Sequence, residues 1–164
     1  MNKFILLIAV SFLFTGCKFY SFYGTDDSGA STFSVDMFEV KAARANPLIG
    51  QSFTESLRDL IQQQSSVQLV EKNGELAFSG AIIQYNTQPI TITGDEVASQ
   101  SRLTIGIKVD YVNSLEPEKS FEKNFTWFTD YSSDDDFLII EEDLIAIINE
   151  QLTQDVYNAS LGNW

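Results

Sequence analysis

Residues 101–112, SRLTIGIKVDYV, decide the fold. Leu103, Ile105, Ile107, Val109 and Tyr111 occupy alternate positions, with Arg102, Thr104, Lys108 and Asp110 between them. Successive side chains of an extended chain point to opposite faces, so this is a strand with one buried and one solvated face. Its buried face needs a covering layer. After a turn at 113–119 containing Pro117, Phe121, Phe125 and Trp127 share a face against Glu122, Asn124 and Thr126, with Lys123 the one charge among the aromatics. That is a second strand. Upstream, residues 75–85 (ELAFSGAIIQY) read as a third. Gly80 inside it signals a bulge or a close approach, and Pro89 bends or ends it near an edge before a polar loop at 94–99.

Asn73-Gly74 is the strongest hairpin signal in the chain, so a short strand at 67–71 is expected to turn straight back into 75–85. Thr32 to Val40 alternates Phe33, Val35 and Met37 against Ser34 and Asp36, which predicts one half-buried strand. Asn46-Pro47 then supplies an N-cap and a proline at the first helical position. Ile49, Phe53, Leu57 and Ile61 follow at helical spacing, so an amphipathic helix runs to about Ser65. A helix here can serve as a crossover, making the first two strands parallel. The last helix is expected over 134–158, about 37 Å long, with Ser133 and Asp136 at capping-box spacing. Phe137, Ile140, Leu144, Ile148, Leu152 and Val156 form its apolar face. The order β-α-β-β-β-β-α predicts an α+β two-layer sandwich, a mixed four- to five-stranded sheet packed against two amphipathic helices.

The N-terminus sets the expected location. Lys3 precedes an uncharged apolar run at 4–14, too short to span a bilayer, and then Thr15-Gly16-Cys17. Small residues before the sole cysteine of the chain resemble a lipobox, where the thiol is acylated after cleavage. Residues 1–16 are read as a lipoprotein signal peptide, 17–31 as a lipidated linker and 32–164 as one α+β domain. Cys17 is the lipid-attachment residue. Two or more buried acyl chains hold stably where one is marginal. The default destination is the outer membrane, facing the periplasm.

Ten Lys and Arg face twenty-three Asp and Glu, a formal charge of −13. Such a chain repels nucleic acid and anionic membrane surfaces, so any cationic patch must be local. The chain has no His and its cysteine is assigned to lipid, which removes Ser-His-Asp and Cys-His nucleophiles and His/Cys zinc sites. Asp134-Asp135-Asp136 and Glu141-Glu142-Asp143 lack the spacing and central glycine of a calcium loop, and read as a solvated, dipole-favoured helix start. No metal, no cofactor and no enzymatic activity is expected. Arg102, Lys108 and, on the next strand, Lys123 are the one candidate patch for an anionic lipid.

Further words of the sequence carry a resemblance. They are Gly16-Cys17-Lys18-Phe19-Tyr20-Ser21-Phe22, Thr32-Phe33-Ser34-Val35, and Ile92-Thr93-Gly94-Asp95-Glu96 leading to Arg102-Leu103-Thr104-Ile105. Gln151-Leu152-Thr153-Gln154-Asp155-Val156-Tyr157-Asn158, closing on Asn163-Trp164, completes the set. In this order they resemble the LPS-assembly lipoprotein LptE family. The resemblance implies two helices on a mixed sheet. It also implies a lipoprotein that plugs the LptD-like outer-membrane β-barrel, assists its folding and aids delivery of lipopolysaccharide to the outer leaflet. Lipopolysaccharide itself is then a further candidate partner. No substrate-contacting residue carries over by motif; only Cys17 does. Phe19, Tyr20, Phe22, Tyr23 and Trp164 are candidates for docking the barrel. The competing reading is a free-standing periplasmic module for glycan or peptidoglycan fragments, with Trp127, Phe128 and Tyr131 lining a pocket.

Overall fold

A computed structural model describes residues 29–90 and 99–162. Its strands are β1 (Thr32–Val35), β2 (Glu39–Val40), β3 (Gln68–Leu69), β4 (Leu76–Ile90), β5 (Gln100–Asn113) and β6 (Phe121–Ser132). The helices are α1 (Ile49–Gln64) and α2 (Phe137–Ser160), with a 3-10 turn at Pro117–Lys119. The strands form one mixed six-stranded sheet in the order β3-β1-β4-β5-β6, with β2 also paired to β4. Both helices cover one face, as expected of an α+β sandwich. The strand count exceeds the expected four to five because the single strand expected over 32–40 is divided into β1 and β2.

β4, β5 and β6 make an antiparallel meander in unbroken register from Tyr111↔Phe121 to Gln100↔Ser132 on the β5–β6 side. The inward set expected on β5 is buried throughout, at Leu103, Ile105, Ile107, Val109 and Tyr111. β4 runs five residues past Tyr85, and Pro89 pairs with Ser101 where β4 has lost its other neighbour, so its missing N–H leaves no ladder bond unmade. Gly80 marks a close approach: a Cβ there would stand 2.0 Å from the Lys108 carbonyl oxygen and 2.7 Å from the Phe38 ring. The bulge falls later, between Ile82 and Gln84.

The expected strand over 32–40 is broken in two. Asp36 N–H donates to the Phe78 carbonyl, and the chain then turns so that Phe38, not Met37, enters the core. The Phe38 ring meets Phe53 edge-on with centroids 4.7 Å apart. Its freed N–H donates to the Thr54 hydroxyl of α1 at 3.0 Å, and that hydroxyl donates to Gly50 O. One large aromatic in a closed core outweighs two further ladder bonds.

The Asn73-Gly74 turn is real but closes no hairpin. Asn73 has a left-handed φ of 56°, yet β3 and β4 do not pair; β1 lies between them, parallel to both. The loop crosses directly over β1. A Cβ on Gly74 would sit 2.4 Å from the backbone of Phe33 and Ser34, and the Glu75 carboxylate accepts from Ser31 N–H at 2.6 Å and Thr32 N–H at 3.2 Å. A central parallel slot buries Phe33 and Val35 on one face and Ser34 beneath the loop, which a two-stranded ribbon could not.

Both helices begin later than expected. Asn46 Oδ1 accepts from Leu48 N–H at 3.0 Å, so Asn46 and Pro47 shape a turn ahead of Ile49. Asp136 caps α2 by accepting from Leu138 N–H at 3.1 Å, while the Ser133 hydroxyl bonds Ser101 at the strand ends. The helices run parallel, as shown by contacts of Asn46 with Glu141, Ser52 with Asn149, and Gln64 with Gln154 and Tyr157. Ile49, Phe53, Leu57 and Ile61 of α1 and Leu144, Ile148, Leu152 and Val156 of α2 fill one continuous core over the sheet. Gly29 and Gly162 lie at the end where both helices finish.

Candidate functional site

The outward face of the sheet carries two of the three cations in the anionic-lipid candidate. Arg102 sits in a row with Gln88 of β4 and Asp130 of β6. Its guanidinium grips Asp130 with two hydrogen bonds of 2.7 and 2.9 Å and lies 3.6 Å from the centre of the Phe128 ring. The hydrogen bond from Arg102 holds the Asp130 carboxyl below the usual carboxylate range, and the same bond raises Arg102. Lys108 pairs with Glu122 at 2.7 Å, which lowers Glu122 and raises Lys108. Arg102 and Lys108 are six positions apart, about 20 Å along β5.

Lys123 is on the opposite face. It is opposite Val109 in register, and its ammonium stands 5.0 Å from the centre of the Phe125 ring at the sheet edge. The structure therefore does not bring the three cations together. Nor does it gather Trp127, Phe128 and Tyr131 into one pocket. Trp127 and Phe128 stack on each other at 6.1 Å, Phe128 also supports Arg102, and Tyr131 packs on Phe137 at 5.5 Å.

Trp127 lines a groove of about 660 Å³ between the helices, together with Ser52, Asp59, Ala146, Ile147 and Glu150. A smaller hollow of about 570 Å³ lies at the break between β1 and β2, lined by Met37, Val40, Ala42 and Pro47. Helix α2 exposes Ile147 beside the larger groove, at 52%, and separately exposes Leu138 and Ile139 at its start, at 81% and 77%. The sequence reading passed over this surface, although it carries a signal. Phe137-Leu138-Ile139-Ile140 are four apolar residues in a row, and successive helical residues are turned by about 100°, so one buried face cannot hold all four.

Cys17, Phe19, Tyr20, Phe22, Tyr23 and Trp164 lie outside the described residues. Among the described residues, no helix is long and apolar enough to cross a membrane, and no three His, Cys, Asp or Glu side chains are grouped to hold a metal ion.

The model of the LptE family, lipopolysaccharide-assembly, matches residues 30–160. Among curated proteins, none matches the chain. The fold is similar to that of a minor lipoprotein from Acinetobacter baumannii, at 14% identity and a TM-score of 0.51 over 80% of this chain and 96% of that one. It is also similar to a Xanthomonas campestris protein, at 7% identity and a TM-score of 0.53 over 80% and 82% of the two chains. A hypothetical protein from Chlamydia trachomatis shares 9% identity and a TM-score of 0.50 over 82% and 99%. At these identities the likeness to the three structures is one of fold.

Proposed function

This chain belongs to the LptE family of lipopolysaccharide-assembly proteins, and from that premise we propose that it is a non-enzymatic outer-membrane lipoprotein, anchored through Cys17, that partners and plugs the lipopolysaccharide-assembly β-barrel. The observation that carries this reading is the extent of the family match, which spans the whole sheet and all of α1 and α2 up to its last residue. The lipobox-like Thr15-Gly16-Cys17 supports the anchor and the periplasm-facing location.

A scaffold role fits the chemistry better than a lipid-carrying one. Arg102 and Lys108 are each held by a carboxylate, in a chain of formal charge −13 that repels lipopolysaccharide phosphates. The glycan-module alternative calls for one aromatic pocket, and its three named aromatics have different surroundings. The test is a pull-down of the tagged, lipidated protein from outer membranes in gentle detergent, followed by mass spectrometry. A single large β-barrel in near-equal amount is the expected result. Elution alone as a stable monomer would end the plug reading. Cys17→Ala should shift the protein from the membrane to the soluble fraction.

A further inference from the structure

Among the described residues, strand β6 is a long edge that nothing covers. It pairs with β5 alone, from Phe121 to Ser132 without a break, whereas the opposite edge of the sheet, β3, is two residues long. It contains no proline and no bulge, two of the usual devices that close an edge. The backbone N–H and C=O groups of a strand point to its two sides at alternate residues. Ser133 N–H donates to Ser99 C=O, so the odd-numbered residues of β6 bond toward β5. The main-chain groups of Glu122, Asn124, Thr126, Phe128 and Asp130 therefore point out of the sheet, and all five residues are exposed. Trp127, opposite the buried Ile105 in register, lies on the helix-covered face beside Ala146 and Ile147 of α2. Trp127 and Phe128 are 38% and 43% exposed.

Charge does not bar a second copy from this edge. The chain as a whole is at −13, yet on β5 and β6 the charges cancel, Arg102, Lys108 and Lys123 against Asp110, Glu122 and Asp130. Pairing of β6 with itself is isologous and antiparallel, and residues directly opposite share a face, so odd must meet odd and even must meet even. Two such registers use nearly the whole strand: centred on Thr126 the pairing runs over 121–131, and centred on Trp127 it runs over 122–132. The first sets Glu122 against Asp130 twice, and like charges directly opposite are destabilising. The second opposes no like charges. Asn124 meets Asp130, Thr126 meets Phe128, Lys123 meets the Tyr131 ring, and the two Trp127 side chains meet on the axis. The outward N–H and C=O groups of Asn124, Thr126, Phe128 and Asp130 are then those that face the other copy. We propose that two copies of this chain join antiparallel through β6, about a twofold axis at Trp127, into one continuous sheet, independently of the barrel partnership proposed above.

The experiment measures the mass of the full-length lipidated protein by sedimentation equilibrium in density-matched detergent, beside three variants. Wild type should be a dimer. Thr126→Pro removes an N–H that β5 does not use, so the fold stands while the edge is blocked, and the dimer dissociation constant should rise at least tenfold. Trp127→Cys brings two thiols to the axis at a non-hydrogen-bonded pair, whose Cα atoms stand about 4.5 Å apart, within disulfide reach. Mild oxidation should link its two chains, with wild type as the blank. Thr129→Cys, opposite Phe125 in this register, leaves its thiols four positions apart along the strands, about 13 Å, and should not link. The Trp127→Cys link reads the register even where Thr126→Pro fails to fold. A monomeric wild type overturns the inference, and so does a folded Thr126→Pro dimer of wild-type strength. Absence of the Trp127→Cys link, or equal linking at Thr129→Cys, overturns it as well. Recovery of the barrel in the pull-down is a separate readout, and the proposed function stands or falls on that alone.

Discussion

The phenol of Tyr85 on β4 donates a short hydrogen bond to Glu141 on α2, and the other oxygen of that carboxylate accepts from the Asn46 amide at 3.3 Å. One carboxylate thus joins the sheet to the starts of both helices. Burial first, and the adjacent Glu141 next, push the Tyr85 phenol up.

Removing the donor should loosen this junction. Tyr85→Phe is expected to cost about 1–2 kcal/mol in urea unfolding at neutral pH, the value of a hydrogen bond to a half-buried charged group. The folded protein holds the Tyr85 proton where the unfolded chain releases it, above about pH 10. Its contribution is whole below that pH and declines above it. Unfolding curves at alkaline pH should therefore fall less steeply for Tyr85→Phe than for the parent.

Asp130 titrates below the ordinary carboxylate range because Arg102 holds its ionised form. The contribution of this pair is present above the unfolded carboxylate pKa and is lost as pH falls through the depressed folded value. Arg102→Gln should move the Asp130 carboxyl carbon titration upward in NMR, and an unchanged midpoint would mean that the pair does not persist in solution.

Gly80→Ala places a methyl group against the Lys108 carbonyl and the Phe38 ring, and both are fixed by the sheet and core. A cost of about 1–3 kcal/mol is expected from overpacking. Gly74→Ala, which meets the backbone of β1, should cost a similar amount by lifting the loop off the strand it crosses. Denaturant midpoints of the two variants test this, with Lys72→Ala as a neutral surface control.

Helix α2 should respond to truncation by face. Ile148→Ala or Leu152→Ala, both fully buried, should cost about 2–5 kcal/mol. Leu138→Ala, at 81% exposure, should stay within about 0.5 kcal/mol. Equal losses at both positions would mean that Leu138 is covered in solution.

Much of the fold was legible because its signals are local. The period of two in 101–112 and the three-to-four spacing of Ile49, Phe53, Leu57 and Ile61 identify faces that turn out buried. Asn73-Gly74 announced a tight turn, and Asn73 is indeed left-handed, but turn chemistry says nothing about what the chain turns around. Met37 was expected inward because alternation was extended through Asp36; Phe38 took the site because a larger ring against Phe53 and Gly80 closes the core. The exposure of Leu138 and Ile139 is not legible in the spacing of the buried face of α2, because that spacing fixes only which residues point inward.

The sequence alone determined the element types, the inward sets on β5 and on both helices, the acidic field and the resemblance to its family. These depend on side-chain period, composition and short words, all properties of neighbours along the chain. Tertiary structure alone decided that β1 lies between β3 and β4, that Arg102 and Lys108 are each held by a carboxylate of β6, and which apolar residues of α2 stay in water. Those outcomes depend on register and on competition between distant segments for the same buried space, and no local pattern encodes who wins it.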